Sequence, residues 1–116
     1  MYKLSYAEVM ESDAGEARAR ERIAFDHAID LMKRAEAKGD ARSAEATEAV
    51  QYVQKLWTFF IESLTDPHNE LAAALKKDLI SIGLWAIAES DRILADSSKS
   101  FAPLIDVNAT IRDGLA

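Results

Sequence analysis

The chain has 116 residues, a formal net charge of −6 at pH 7 and no cysteine. This length fits one domain with a modest core, and a composition of 49% hydrophobic and 29% charged residues is that of a folded chain. The negative charge disfavours direct binding to nucleic acid or acidic membranes, and the lack of cysteine excludes disulfides and thiolate metal sites.

Two features of the sequence indicate a cytoplasmic location without membrane association. Glu8 and Glu11 interrupt the N-terminal residues too early for the apolar stretch of a signal peptide. The longest strongly apolar run, residues 80–88, is far shorter than the roughly 20 residues that a membrane-spanning helix needs.

The first predicted helix covers residues 14–38. Asp13 followed by Glu16 is typical of a capping box at a helix start, and Gly39 after a basic last turn predicts the end. The helical period places six apolar residues on one side, namely Phe25, Ala28, Ile29, Leu31, Met32 and Ala35.

Charged residues replace this apolar stripe towards the N-terminus. Arg18, Glu21 and Arg22 occupy the positions where the stripe, extended backwards, would be apolar. We therefore expect this end of the helix either to project beyond the core or to face a partner.

The second predicted helix covers residues 42–64, begins between Ala41 and Ser43, and ends by Pro67, because proline disfavours helix at the residue before it. Roughly half of its circumference or more is apolar. The residues concerned are Val50, Tyr52, Val53, Leu56, Trp57, Phe59, Phe60, Ile61 and Leu64.

The third predicted helix covers residues 68–95, with a start between Pro67 and Ala72, and is apolar on both sides. One side carries Leu79, Ile82 and Ala86, the other Ile80, Leu84 and Ile87, and Trp85 lies at the margin. Mid-helix Gly83 costs about 1 kcal/mol relative to alanine. It therefore predicts the close approach of another helix backbone.

The fourth predicted helix covers residues 101–113 and tolerates Pro103 in its first turn. Phe101, Leu104, Val107 and Ile111 share a face with Asn108 near its centre. No segment shows sustained alternation of period two. The sequence therefore predicts a small all-α, single-domain bundle of about four helices, with the second and third as the inner pair.

The sequence offers little that could carry catalysis, so we expect neither an enzyme nor a cofactor or metal site. His27 and His68 lack metal-ligand spacing, and Glu89 and Asp91 resemble an exposed helix edge beside Arg92. We predict that Trp57 and Trp85 are core residues. For Tyr52, Phe59, Ile80, Leu84 and Ile87, burial in the core and exposure in a partner groove are equally compatible with the pattern.

Five separated stretches closely resemble the flagellar biosynthesis regulator FlaF family in order and spacing. They are SYAEV (5–9), EARARER (16–22), KLW (55–57), DLISIGLW (78–85) and SFAPLIDVNATIRDGL (100–115). The resemblance implies a helical, non-enzymatic cytoplasmic protein that supports bacterial motility. Such a protein is expected to bind flagellin like a secretion chaperone and to act opposite FlbT, a regulator that restrains flagellin translation.

The preferred hypothesis is thus a flagellin-binding regulator that promotes flagellin synthesis, secretion and filament assembly. An apolar groove lined by the third and fourth helices would capture flagellin helices, with candidate residues Leu84, Ile87, Leu104, Asn108 and Ile111, and with Arg18 and Arg22 at the rim. Ordinary packing and solvation explain the same residues. Two alternatives are a regulator acting on flagellin mRNA or through FlbT, and a homodimer seam at Gly83.

Overall fold

The computed structural model describes residues 6–40 and 42–115, and the side chains of residues 15–40 and 42–115. Four helices follow one another, α1 (Tyr6–Lys38), α2 (Ala44–Thr65), α3 (Ala73–Ala95) and α4 (Ala102–Gly114). The described residues contain no strand, and the predicted all-α bundle is confirmed. None of the described helices is both long enough and apolar enough to cross a membrane.

The helices occupy the four corners of a bundle in chain order. Each packs against its neighbour in sequence and α4 returns to α1, whereas among the described residues the backbones of the diagonal pairs do not approach one another. Phe25 packs edge-on against Phe60 while His27 packs against Tyr52, so α1 and α2 are antiparallel.

Two further helix pairs, α2 with α3 and α1 with α4, are antiparallel as well. Gly83 lies beside Ile61 and Ser90 accepts a hydrogen bond from Gln54, which sets α3 against α2. Glu36 of α1 binds the start of α4 and Asp26 binds its end. The fold is therefore an up-down-up-down bundle, in which α1 and α3 point the same way.

The core is built chiefly from α1 and α2. The predicted stripe from Phe25 to Ala35 is buried, and Trp57 is fully buried. On α3 only Gly83, Ala86, Glu89, Ser90 and Ile93 are buried, so the prediction that the second and third helices form the inner pair is wrong. Trp85, predicted to be a core residue, is 36% exposed.

The end of α1 agrees with its prediction, but the start does not. Gly39 adopts a positive φ of 72°, which favours glycine, and its N–H donates to the carbonyls of Ala35 and Glu36 at 3.3 and 3.1 Å. The helix begins at Tyr6, so Asp13 and Glu16 lie inside it. The predicted capping box is wrong because the same residue pattern is also compatible with a helix interior.

The side chains of the turn between α2 and α3 explain why α3 begins later than predicted. Asp66 accepts the N–H of His68 at 2.8 Å and Asn69 accepts that of Leu71 at 3.0 Å. Because these carboxylate and amide oxygens hold the backbone in turns, the helix starts at Ala73. At the other end of α2, Ser43 caps the helix by accepting the N–H of Ala46 at 3.1 Å.

Gly83 brings α3 close to α2, although the atoms that approach it belong to side chains and not to a helix backbone. A Cβ added at this position would lie 2.7 Å from Cε3 of Trp57 and 2.9 Å from Cδ1 of Ile61. The predicted close approach thus comes from within the same chain. The missing side chain makes room for a buried indole.

We predict that Gly83→Ala lowers the free energy of unfolding by about 1 kcal/mol or more. The cost of overpacking, about 1–3 kcal/mol, exceeds the gain in helix propensity because Trp57 has no space to move. Chemical denaturation measures the change. The matched control is Gly15→Ala, where an added Cβ meets no atom within 4 Å and helix propensity alone should act; equal stabilisation by both substitutions would contradict the prediction.

Candidate partner-binding site

The fourth corner of the bundle is filled over only part of its length. α4 has 13 residues, whereas α3 has 23 and α1 has 33, which correspond to about 20, 35 and 50 Å of helix. The last turn of α4 is level with Asp26, whose Oδ1 accepts a hydrogen bond from Nη1 of Arg112 at 3.0 Å.

Beyond this contact, α1 and α3 both continue at the same end of the molecule, one on each flank of the position that α4 occupies further along the bundle. Gly83 is level with Trp57, and Trp57 packs against Phe25, so residues 73–82 of α3 and the first part of α1 extend past the end of α4. We call this region the open corner. It is formed by Arg18, Glu21 and Arg22 of α1, Leu75, Leu79, Ile82 and Trp85 of α3, and Arg112 of α4.

The α3 side of the open corner is an apolar stripe that becomes more buried towards α4. Leu75, Leu79, Ile82, Ala86 and Ile93 share one side of the helix because they are spaced by three, four or seven residues. Leu75 is 46% exposed, Leu79 and Ile82 are half-buried, and Ala86 and Ile93 are buried. The stripe is therefore fully covered only from Ala86 onward and becomes more exposed towards Leu75.

Trp85 widens this apolar stripe. At 100° per residue it lies about 60° around α3 from Ile82, on the side turned away from α2. Its indole is 36% exposed. A large aromatic side chain in this position adds accessible apolar surface next to the stripe.

The α1 side of the open corner is charged instead of apolar. Arg18 and Arg22 are exposed, while Glu21, on the side of α1 that carries Phe25 and Ala28, is half-buried. Burial raises the pKa of the Glu21 carboxyl, and the nearby Arg18 and Arg20 act in the opposite direction. The N-terminal part of α1 thus forms a charged wall beside the apolar wall of α3. Both sequence-based alternatives for this end of the helix, projection beyond the core and contact with a partner, are compatible with it.

A cluster of two cations and two carboxylates closes the open corner at the end of α4. Arg22, Asp26, Arg112 and Asp113 line a shallow depression of about 380 Å³. Arg112 bonds to Asp26 at 3.0 Å and to Asp113 at 3.1 Å, and these hydrogen bonds raise its pKa, that to Asp26 most. No salt bridge among the described side chains involves Arg18 or Arg22.

The residues predicted from the sequence to bind a partner do not form one surface. Leu84 is 60% exposed, yet it lies 200° around α3 from Ile82, on the side away from the open corner. Ile87 and Ile111 are half-buried. Of the remaining residues that were compatible with core or groove, Phe59 is exposed, whereas Tyr52 and Ile80 are half-buried.

Leu104 and Asn108 lie in the core, so the sequence-based interpretation of both as groove residues does not hold in this structure. Both are fully buried. The Asn108 side chain accepts a hydrogen bond from Nε1 of Trp57 at 3.1 Å and donates one to the carbonyl of Leu104 at 2.7 Å. The helical pattern of α4 placed Leu104 and Asn108 on one apolar face. It did not show that this face packs against Trp57 of the same chain.

Sequence reasoning missed the α3 side of the open corner. Leu75, Leu79 and Ile82 have the spacing of four and three residues that marks a helix-packing seam, and this signal was present in the sequence. The sequence predicts Trp85 as a core residue because tryptophan is highly buried on average in folded proteins.

The described residues contain no group of three or more histidine, aspartate or glutamate side chains that could hold a metal ion. His27 and His68 are both exposed.

Fold and site together define an antiparallel four-helix bundle with a shortened last helix. The chain belongs to the flagellar protein FlaF family, whose model matches residues 2–115. This match confirms the resemblance seen in the sequence and, with it, a role connected with the flagellum. Searches of curated proteins and of solved structures give no match.

We predict that Asn108→Ala lowers the free energy of unfolding by about 1–3 kcal/mol, because the buried indole N–H of Trp57 loses its acceptor. Thermal or chemical denaturation measures the loss. The matched control is Thr110→Ala, an exposed position on the same helix, which should change stability by no more than about 0.5 kcal/mol. Unchanged stability of the Asn108 variant would contradict a core role.

The raised pKa of Glu21 predicts a stability change that depends on pH. Because the carboxyl has a higher pKa in the folded chain than its ordinary 4.5, its ionisation opposes folding above that pH, and the penalty disappears as the pH falls below it. Glu21→Gln should therefore raise the melting temperature at pH 7 and leave it unchanged at pH 3. An equal increase at both pH values would assign the effect to helix propensity instead.

Proposed function

We propose that this protein binds flagellin in the cytoplasm as a chaperone-like regulator and promotes flagellin synthesis, secretion and filament assembly. Membership of the FlaF family supports the flagellar part of this proposal. The observation that carries the binding part is the apolar stripe of Leu75, Leu79 and Ile82, which is only partly covered: Leu75 is 46% exposed, and Leu79 and Ile82 are half-buried.

The physical case for binding at the open corner rests on surface that is costly to leave in water. Burial of a leucine or isoleucine side chain contributes about 1.5–3 kcal/mol, and contiguous exposed apolar surface typically marks an interaction site. A partner that covers Leu75, Leu79 and Trp85 gains part of this free energy, because Leu75 is 46% and Trp85 36% exposed and Leu79 is half-buried. In this proposal the partner segment is a terminal helix of unassembled flagellin.

The proposed mechanism is capture and release without covalent chemistry. A bound flagellin helix is kept from aggregating while the corner is occupied, and transfer to the export machinery leaves the corner open again. The amount of unoccupied protein then reports how much unassembled flagellin is present. This coupling is how a binding protein can act as a regulator.

The test is size-exclusion chromatography with light scattering, on the protein alone and mixed with monomeric flagellin. We expect a monomer that forms a stoichiometric complex. Two variants carry the same substitution on opposite sides of α3. Leu75→Asp should weaken the complex at least tenfold, because a carboxylate enters the apolar contact, and Leu84→Asp should leave it intact. Circular dichroism checks that both variants keep the native helix content.

Three outcomes would overturn the proposal or its site. A stable homodimer that ignores flagellin would show that a second copy covers the stripe and that flagellin is not the partner. Failure of every variant and of the unmodified protein to bind flagellin would remove the proposed function. Loss of binding in Leu84→Asp with binding kept in Leu75→Asp would move the site to the other side of α3.

A further inference from the structure

The open corner also restricts what kind of segment can occupy it, and this inference rests on the proposed function. We propose that the occupant is an amphipathic helix of about ten residues or more, with apolar residues spaced by four and three that face α3 and with carboxylates that face α1. The shape of the corner, the spacing of its apolar residues and the distribution of its charges each support one part of this description.

The shape of the corner fits a helix. The position is that of a bundle helix, with α1 and α3 as its two neighbours and α2 diagonally opposite. Residues 73–82 extend past α4 over about 15 Å, which equals about ten residues of helix. An extended strand would fit poorly, because the flanking helices offer it no unpaired backbone groups for hydrogen bonds.

The apolar part of the occupant follows from the spacing on α3. Leu75, Leu79 and Ile82 form a seam with intervals of four and three residues, which packs best against a helix that has the same repeat. Ala86, the next residue of this seam, is buried. A partner helix in the open corner would therefore extend the buried part of the seam towards Leu75.

The charged part of the occupant follows from α1. Arg18 and Arg22 are one helical turn apart and exposed, and no salt bridge among the described side chains involves either of them, whereas Arg112 is bonded to Asp26 and Asp113. The half-buried Glu21 lies between them in sequence and disfavours a second buried carboxylate beside itself. The occupant should therefore place its acidic residues against the two exposed arginines, as flanking charges do in helical seams.

The first experiment measures the affinity of monomeric flagellin for the full chain by isothermal titration calorimetry. Arg18→Glu with Arg22→Glu should weaken binding at least tenfold and invert its response to salt. The matched control is Lys33→Glu with Lys38→Glu, two exposed positions on α1 outside the corner. It makes the same change in net charge and should alter the affinity by less than twofold.

The second experiment uses overlapping synthetic peptides that cover flagellin. We expect the binding peptide to gain helix on binding, seen by circular dichroism, and to lose affinity when its acidic residues are replaced by lysine. The same lysine peptide should bind the Arg18→Glu, Arg22→Glu variant more tightly than the unmodified peptide does. This exchange of charge tests direct contact, which a change in folding could not imitate.

The outcomes separate this inference from the proposed function. If flagellin binds equally well to the double-arginine variant, or if the bound peptide gains no helix, flagellin binding stands and the amphipathic-helix occupant is wrong. If the unmodified protein does not bind flagellin, both fail. Rescue of the charge-reversed protein by the lysine peptide supports both.

Discussion

The fold depends on the indole of Trp57, because all four helices meet at this side chain. Phe25 of α1 packs edge-on against it with ring centroids 5.4 Å apart, and Phe60 of α2 does so at 5.6 Å. Gly83 leaves the space that the ring needs beside α3, and Asn108 of α4 accepts its N–H at 3.1 Å. A tryptophan suits this place because it combines a large apolar body with one polar atom.

The open corner begins at the last turn of α4, and specific contacts fix α4 in its place. Phe101 gives α4 no side-chain cap of its own, but the Glu36 carboxylate accepts the N–H of Phe101 at 2.8 Å and a hydrogen bond from Ser100. Asn108 then fixes the middle of α4, and the contact between Arg112 and Asp26 fixes its end. α4 is thus attached to α1 at both ends and to Trp57 of α2 in its middle, and the described residues leave the corner open only beyond its last turn.

Helical periodicity predicted most of the fold, since it identified four helices and the buried stripes of α1 and α2. Periodicity could not predict which residues of other helices pack against each apolar face. Asn108 at the centre of an apolar face is compatible with a groove or a core, and only the Trp57 indole, 51 residues away in sequence, decides between them. The start of α1 was wrong because the pattern of Asp13 and Glu16 is local. The spacing of Leu75, Leu79 and Ile82 predicts the apolar side of the open corner. Their exposure cannot be predicted from that spacing, because it depends on where α4 ends.

The α1 side of the open corner is charged and the α3 side is apolar, a difference that packing of the core does not require. On α1 the buried stripe gives way to Arg18 and Glu21 where α4 ends, as expected for a helix end that faces water. On α3 the apolar seam continues through Leu79 to Leu75 without such a change, although the same cover is missing. A surface with one apolar and one charged wall is complementary to a helix that has both kinds of side, so the asymmetry favours an amphipathic partner over a purely apolar one.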